Sequence, residues 1–117
     1  MKYMILIYND PALEPAYGTP DFEAMMQAYG AANQAMAEGG VMVHGNGLQD
    51  VDTATSVRMR GGKTETMDGP FAETKERLGG YYIIDCEDLD EALKYAAMIP
   101  SVAFGTIEVR PIADYGV

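Results

Sequence analysis

An apolar run at the start of the chain, with no polar alternation in it, constrains the fold more than any other stretch. Residues 3–8 read Tyr-Met-Ile-Leu-Ile-Tyr, and a second run, Tyr-Tyr-Ile-Ile, fills positions 81–84. A strand with one face in water alternates apolar and polar residues, whereas a strand covered on both faces is apolar throughout. The first run reaches Asn9 and Asp10 too soon for a membrane-spanning helix, and it lacks the cleavage site of a signal peptide. We therefore predict two β-strands that are covered on both faces.

Two segments have the apolar spacing of amphipathic helices. Thr19 is suited to cap the first helix, with Pro20 at its first position, and Gly39-Gly40 ends it. The second helix begins in a capping-box-like Asp88-Leu-Asp-Glu91 and stops before Pro100. The apolar sides comprise Phe22, Met25, Met26, Tyr29 and Met36 in the first helix, and Leu89, Ala92, Leu93, Ala96 and Ala97 in the second.

The remaining pattern predicts strands. Residues 41–44 and 106–112 are short strands, and residues 54–60 and 63–67 flank Gly61-Gly62, a two-residue hairpin turn that places Arg58 opposite Glu65. The order predicts one α+β domain over residues 1–117: a ferredoxin-like (split βαβ) antiparallel sheet with two helices on one face and an inserted β-hairpin. Two helices cover only one sheet face, so we expect a homodimer that closes sheet on sheet into a dimeric α/β barrel.

The segment from Asp68 to Gly80 interrupts this pattern with a tight turn, five charged residues and a double glycine. Its start, DGPFAETKE, resembles the signature of the DGPF subgroup of YCII-related proteins, and the likeness extends through Gly-Gly-Tyr-Tyr-Ile-Ile and Gly-Thr-Ile-Glu-Val-Arg-Pro. That superfamily consists of dimeric α+β barrels with ferredoxin-like halves, and no single reaction is established for it. In many members a histidine in the first helix pairs with an aspartate, whereas this chain reads Met-Gln-Ala-Tyr-Gly at 26–30.

Charge and composition narrow the classes of partner and cofactor. Eighteen acidic and eight basic residues give a formal charge of −10, which disfavours binding to nucleic acid or to an anionic membrane. A lone cysteine, Cys86, excludes an internal disulfide and suits the cytoplasm. One histidine, one cysteine and no glycine-rich phosphate loop predict no metal and no nucleotide cofactor, although carboxylate metal sites stay open.

Asp68 and His44 are the candidate catalytic residues. A turn presents Asp68, which can act as a general acid or base or can shape the turn by accepting N–H bonds from Phe71 or Ala72. His44 is the only residue of a type that titrates near neutrality, and the alternative is a packed or surface histidine.

Five further residues are candidates for ligand binding, each with an alternative as an ordinary surface group. Glu73 and Lys75 can bind a polar ligand or belong to a solvated face, in which Glu73 and Arg77 pair if the segment is helical. Arg58 and Arg110 can hold a carboxylate or enolate with Tyr81 as a hydroxyl donor, or can pair with Glu65 and Glu108. We expect Asp68, Glu73, Lys75 and Arg110 to line one pocket.

Three functions remain open from the sequence. The first is a small cofactor-independent enzyme, lyase- or isomerase-like, that works by proton transfer on a metabolite in the dimer cavity; this rests on fold analogy. The second is a non-catalytic regulatory or binding module, because the resemblance implies association with extracytoplasmic-function sigma factors. The third is a structural dimer without a ligand.

Overall fold

The computed structural model describes residues 1–116, which form six strands and two helices. The strands are β1 (Lys2–Asn9), β2 (Met42–Gly47), β3 (Thr55–Arg60), β4 (Lys63–Asp68), β5 (Arg77–Asp85) and β6 (Gly105–Pro111). The helices are α1 (Pro20–Glu38) and α2 (Leu89–Ala96), and short 3₁₀ turns cover Val51–Thr53 and Pro100–Ala103. No helix in this part of the chain combines the length and the apolarity needed to cross a bilayer.

Four strands form an antiparallel sheet in the order β2-β5-β1-β6. β5 separates β1 from β2, and β1 separates β5 from β6, so α1 and α2 each connect two parallel strands that have a third strand between them. This is the split βαβ arrangement of a ferredoxin-like α+β fold, as the order of elements predicts.

The core lies between this sheet and the two helices. Alternate residues of β1, namely Tyr3, Ile5 and Ile7, are buried, and β5 contributes Tyr82 and Ile84 to the same layer. The helices bury small or flexible side chains against them: Ala32, Met36, Ala92 and Ala96. Both helices therefore pack on one face of the sheet, while the alternate residues of each strand point to the other face.

Local sequence signals set the helix starts where they were predicted. The Thr19 hydroxyl oxygen accepts the Phe22 N–H at 3.2 Å, and the Asp88 carboxylate accepts the Glu91 N–H at 2.9 Å. The second strand extends beyond residue 44, because Gly45-Asn46-Gly47, a stretch that suits either a loop or a bulged continuation of the strand, continues it. A register shift between Met42 and His44 accommodates the extra residue.

β3 and β4 form a separate two-stranded sheet between β2 and β5 in the chain. Its register pairs Arg58 with Glu65 and Arg60 with Lys63, as the Gly61-Gly62 turn predicts. Both glycines have positive φ, +56° and +76°, which a hairpin turn of this kind requires. None of its residues belongs to the core.

Candidate functional site

The face of the sheet opposite the helices, here called the open face, is the candidate site. Its centre is apolar, because Met4 and Leu6 of β1 pair with Ile83 and Tyr81 of β5. These side chains are half-buried, unlike the fully buried residues that alternate with them. The sequence predicted that both strands are covered on both faces, whereas within residues 1–116 only the helix face is covered.

His44, Asn46 and Tyr81 form a polar cluster at one edge of the open face. His44 and Asn46 stand two residues apart on β2, and Asn46 pairs with Tyr81 of β5. The Asn46 Nδ2 lies 3.1 Å from His44 Nε2 and 3.2 Å from the Tyr81 hydroxyl. The rings of His44 and Tyr81 are 5.8 Å apart between centroids. The structure therefore brings together two of the residues that were predicted from the sequence.

The bond pattern of this cluster defines its donors and acceptors. An amide nitrogen only donates, so in this orientation His44 Nε2 accepts and the ring proton of neutral His44 resides on Nδ1. The Tyr81 oxygen accepts the second amide hydrogen, which leaves its own proton for another partner. The cluster thus offers a basic nitrogen beside a hydroxyl donor, next to an apolar surface.

Arg110 and Glu108 lie at the opposite edge of the same face. Glu108 pairs with Leu6 and Arg110 with Met4, so both belong to the open face. The Arg110 guanidinium donates twice to one Glu108 carboxylate oxygen. Three strand spacings separate β2 from β6, which is about 14 Å. Arg110 and His44 can therefore flank one molecule but cannot bind the same atom of it.

The charged segment after Asp68 does not form the predicted pocket with Arg110. Within residues 1–116, no hydrogen bond or ion pair joins Asp68, Glu73 or Lys75 to one another or to Arg110. Lys75 instead lies 3.7 Å from the buried carboxylate of Asp10. Short-range sequence spacing cannot show this contact, because Asp10 comes from the end of β1.

The turn at Asp68 is held by the Gly69 backbone and the Ser56 hydroxyl and not by the Asp68 carboxylate. Gly69 has φ +95°, donates its N–H to the Ala54 carbonyl at 2.7 Å and accepts the Ser56 hydroxyl at 2.9 Å. Among the described residues, the predicted bonds from Phe71 and Ala72 to Asp68 are absent. Residues 69–76 also form no helix, so Glu73 and Arg77 are not helical neighbours, and Phe71 is 78% exposed.

Arg58 lies on the hairpin, where its Nε donates to Glu65 Oε2 at 3.0 Å. Both side chains are about half exposed, and a pair of this kind contributes at most about 1 kcal/mol. Of the two interpretations of Arg58, ligand binding and an ion pair with Glu65 across the hairpin, the structure shows the ion pair.

Asn46 is the member of the cluster that sequence reasoning missed. The Gly45-Asn-Gly sequence resembles a turn, which obscured the two-residue spacing between His44 and Asn46. Read as a strand, the same spacing places both side chains on one face.

Two clefts of the described chain contain none of His44, Asn46 and Tyr81. One, of about 390 Å³, lies by the end of β1 and is lined by Asn9, Glu14, Asp50, Asp52 and Arg77 among others. Partial burial, then the charges of Asp50 and Asp10, raise the pKa of the Glu14 carboxyl. The second cleft, of about 680 Å³, is mostly apolar and separates the first half of α1 from residues 97–104.

The surroundings of Cys86 do not activate its thiol, and the described residues contain no cluster of metal-ligating side chains. Burial raises the pKa of the Cys86 thiol, and the nearby Glu91 adds to this effect, so the thiol stays protonated. Within residues 1–116, no three His, Cys, Asp or Glu side chains are grouped closely enough to hold a metal ion.

Comparison with known proteins agrees with the sequence resemblance. The chain matches the YCII-related domain over residues 1–115. It is 39% identical to an uncharacterised protein of Rhizobium meliloti (strain 1021), covering 98% of this chain and 94% of the relative.

A solved structure similar to this one is 5-chloro-2-hydroxyhydroquinone dehydrochlorinase (TftG) from Burkholderia phenoliruptrix AC1100, in complex with 2,5-dihydroxybenzoquinone. It shares 15% identity and a TM-score of 0.49, over 97% of this chain and 94% of the other. At this distance the likeness has no bearing on the chemistry of this chain. The family match and the relative, in contrast, cover nearly all of the chain: it belongs to the YCII-related domain family.

Proposed function

We propose that this protein is a homodimer that binds a small molecule between the open sheet faces of its two copies and acts on it as a cofactor-independent, lyase- or isomerase-like acid–base enzyme. The observation that carries the proposal is the cluster of His44, Asn46 and Tyr81 beside an apolar sheet surface. Membership of the DGPF subgroup and a cytoplasmic location are part of the proposal and rest on residues 68–76 and on the lone Cys86.

The open face supports dimerisation through its composition. Met4, Leu6, Tyr81 and Ile83 form a continuous apolar surface, which no element within residues 1–116 covers. Covering this surface with a second copy removes it from water, which stabilises the dimer by about 25 cal/mol for each Å² of apolar surface buried. Such a dimer encloses a space whose floor is apolar and whose edges carry His44 and Arg110, the usual composition of a small-molecule site.

Proton transfer in this site involves His44 and Tyr81. A ligand group that displaces the Asn46 amide from His44 Nε2 meets an unshared electron pair, which can accept a proton from it. The Tyr81 hydroxyl can donate to an oxygen of the same ligand, where negative charge develops as the proton leaves. Arg110, on the far edge, suits a carboxylate or enolate group of a ligand that spans the face.

We predict that a ligand found by thermal-shift screening of small metabolites binds Tyr81→Phe and His44→Gln about tenfold more weakly than the unmodified protein. The loss corresponds to about 1.4 kcal/mol, the scale of one hydrogen bond. Calorimetric titration measures it. Tyr17→Phe is the matched control, because Tyr17 is 89% exposed and lies outside the open face. Equal affinity in all three variants would contradict the proposed site.

The second candidate function is a non-catalytic regulatory module that meets an extracytoplasmic-function sigma factor. It is favoured by the charge distribution: residues 3–57 contain seven acidic residues and no lysine or arginine. The apolar cleft beside α1 is lined on one side by this region and on the other by residues 97–104, and its charged residues are Glu14 and Asp21. A basic amphipathic segment of a partner is complementary to such a groove.

We predict for this alternative that Met25→Asp, in the cleft, abolishes co-purification of a sigma factor, while Tyr81→Phe leaves it intact. The charge would enter an apolar contact surface, and complex formation would also weaken as salt rises. Pull-down at two salt concentrations measures both effects. A complex lost in Tyr81→Phe and retained in Met25→Asp would refute it.

A further inference from the structure

The hairpin formed by β3 and β4 is the least supported part of the chain. All of residues 55–68 except Ser56 are exposed, and none contributes to the core. A two-stranded hairpin is only marginally stable by itself in water. The molecule as a whole is extended: the radius of gyration is 16.2 Å, against about 13 Å for a compact domain of this length. β3 and β4 nevertheless pair regularly through six residue pairs. We therefore expect the hairpin to pack on a further surface.

One face of the hairpin carries Val57 and Met59 of β3 together with Asp68 of β4. Val57 and Met59 alternate with Arg58 and Arg60, so the apolar pair and the two arginines point to opposite faces. Val57 is 66% and Met59 63% exposed. Thr55 lies on the same face as Val57, and its partner in the ladder is Asp68. Whatever covers Val57 and Met59 therefore also faces the Asp68 carboxylate.

The charges of the hairpin and the apolar open face indicate that a second copy of this chain covers Val57 and Met59. The hairpin holds three basic and two acidic side chains, whereas the rest of the chain holds five basic and sixteen acidic ones. The hairpin is thus the segment that best tolerates contact with another copy of so acidic a protein. The open face supplies the matching apolar surface in Met4, Leu6 and Ile83.

We infer that the hairpin of each copy covers part of the open face of the other copy and brings Asp68 into its partner's site. The inference rests on the proposed function for the location of the site. It explains why, in a single chain, no contact joins Asp68 to the cluster of His44, Asn46 and Tyr81 in the described residues. It also explains why the Asp68 carboxylate takes no part in holding its own turn.

The first test places a nitroxide label on the hairpin and looks for its effect on the other copy. An Arg60→Cys chain carries the label on the face opposite Val57, and buried Cys86 stays unlabelled. This chain is mixed with isotope-labelled unmodified chain, so every broadened signal reports contact between copies. We expect at least twofold broadening of the methyl signals of Met4 and Ile83 and of the His44 ring. Broadening of the Met25 methyl signal alone, on the helix side, or no broadening, would overturn the inference.

The second test uses the fact that His44 is the only histidine, so its ring gives a unique signal. Isotope-labelled unmodified chain is mixed with excess unlabelled Asp68→Asn chain at constant pH. Because the partner supplies Asp68, the His44 ring signal should move although its own Asp68 is intact. In the reverse mixture, labelled Asp68→Asn with excess unmodified chain, the signal should return to its original position.

Other groups near the cluster must be kept constant in this test. The charged or titratable residues of the open face are Lys2, Tyr8, Tyr81, Asp85, Glu108 and Arg110, and none of them is changed. Glu65→Gln, on the other hairpin face, is the control and should leave the His44 signal in place. A signal that follows the chain's own Asp68 in both mixtures shows a site within one chain and overturns the inference. Neither test uses a ligand, so a failure to bind metabolites counts against the proposed function alone.

Discussion

At the scale of single residues, two tyrosine hydroxyls are partly buried and hydrogen-bonded beside the core. The Tyr82 hydroxyl donates to Asn33 Oδ1 at 2.5 Å, and the Tyr29 hydroxyl is hydrogen-bonded to the Ser101 hydroxyl. Burial raises the pKa of both phenols, and for Tyr29 the bond to Ser101 opposes part of the increase. The folded protein therefore keeps both protons at a pH where the unfolded chain loses them.

We predict that the free energy of unfolding is insensitive to these tyrosines below about pH 10 and falls as the pH rises above it. The sign follows from proton binding, because the folded state binds more protons than the unfolded state in this range. Tyr82→Phe should reduce the alkaline loss while costing about 1 kcal/mol at neutral pH. Urea unfolding between pH 8 and pH 11 measures both effects. In Tyr115→Phe, where the tyrosine is 84% exposed, the profile should not change.

At the scale of elements, the start of β6 is possible only because residue 105 has no side chain. Gly105 pairs with Asn9 of β1. A Cβ at this position would collide with the Tyr8 carbonyl oxygen and lie 2.9 Å from the Asn9 Cα. These are backbone atoms of a central strand, so they cannot move aside without disturbing the sheet. The sequence analysis predicted that this strand starts at Thr106, and it did not predict how closely residue 105 approaches the backbone of Tyr8 and Asn9.

We predict opposite effects of alanine at two glycines. Gly105→Ala should destabilise the protein by about 3 kcal/mol, because the new methyl group overlaps backbone of β1. Gly30→Ala should stabilise it by about 0.5–1 kcal/mol, since Gly30 lies inside α1 and a Cβ there has nothing within 4 Å. Denaturant unfolding of both variants gives the comparison. Gly105→Ala with unchanged stability would contradict the packing of β6 on β1.

At the scale of the whole molecule, the sheet divides its apolar residues between a covered face and an open one. Ile5 is 0% exposed and belongs to the core, whereas Ile83 is half-buried on the open face. The sequence indicated that both faces are apolar but not which residue belongs to which face. That assignment follows from pairing, because Ile5 lies opposite Tyr82 while Ile83 lies opposite Met4.

We predict that Ile5→Asp unfolds the chain and that Ile83→Asp yields a folded monomer. A carboxylate at Ile5 would be buried without a partner under the helices, whereas at Ile83 it is buried only in the proposed dimer. Circular dichroism reports the fold and sedimentation velocity the mass. An Ile83→Asp variant that sediments as a dimer, or an unmodified protein that is a monomer at micromolar concentration, would refute the dimer.

The sequence by itself determined the helices, their caps, the apolar strands and the hairpin turn, and from their order the ferredoxin-like sheet. Each of these depends on neighbours within a few residues, such as Thr19 with Phe22 or Gly61 with Gly62. Only the tertiary structure decided that Asn46 joins His44 to Tyr81 and that Lys75 meets Asp10. The first contact depends on the register of β2 against β5, and the second on the pairing of β1 with β5, which brings the residue after β1 close to the segment before β5. Spacing between neighbours in the sequence encodes neither.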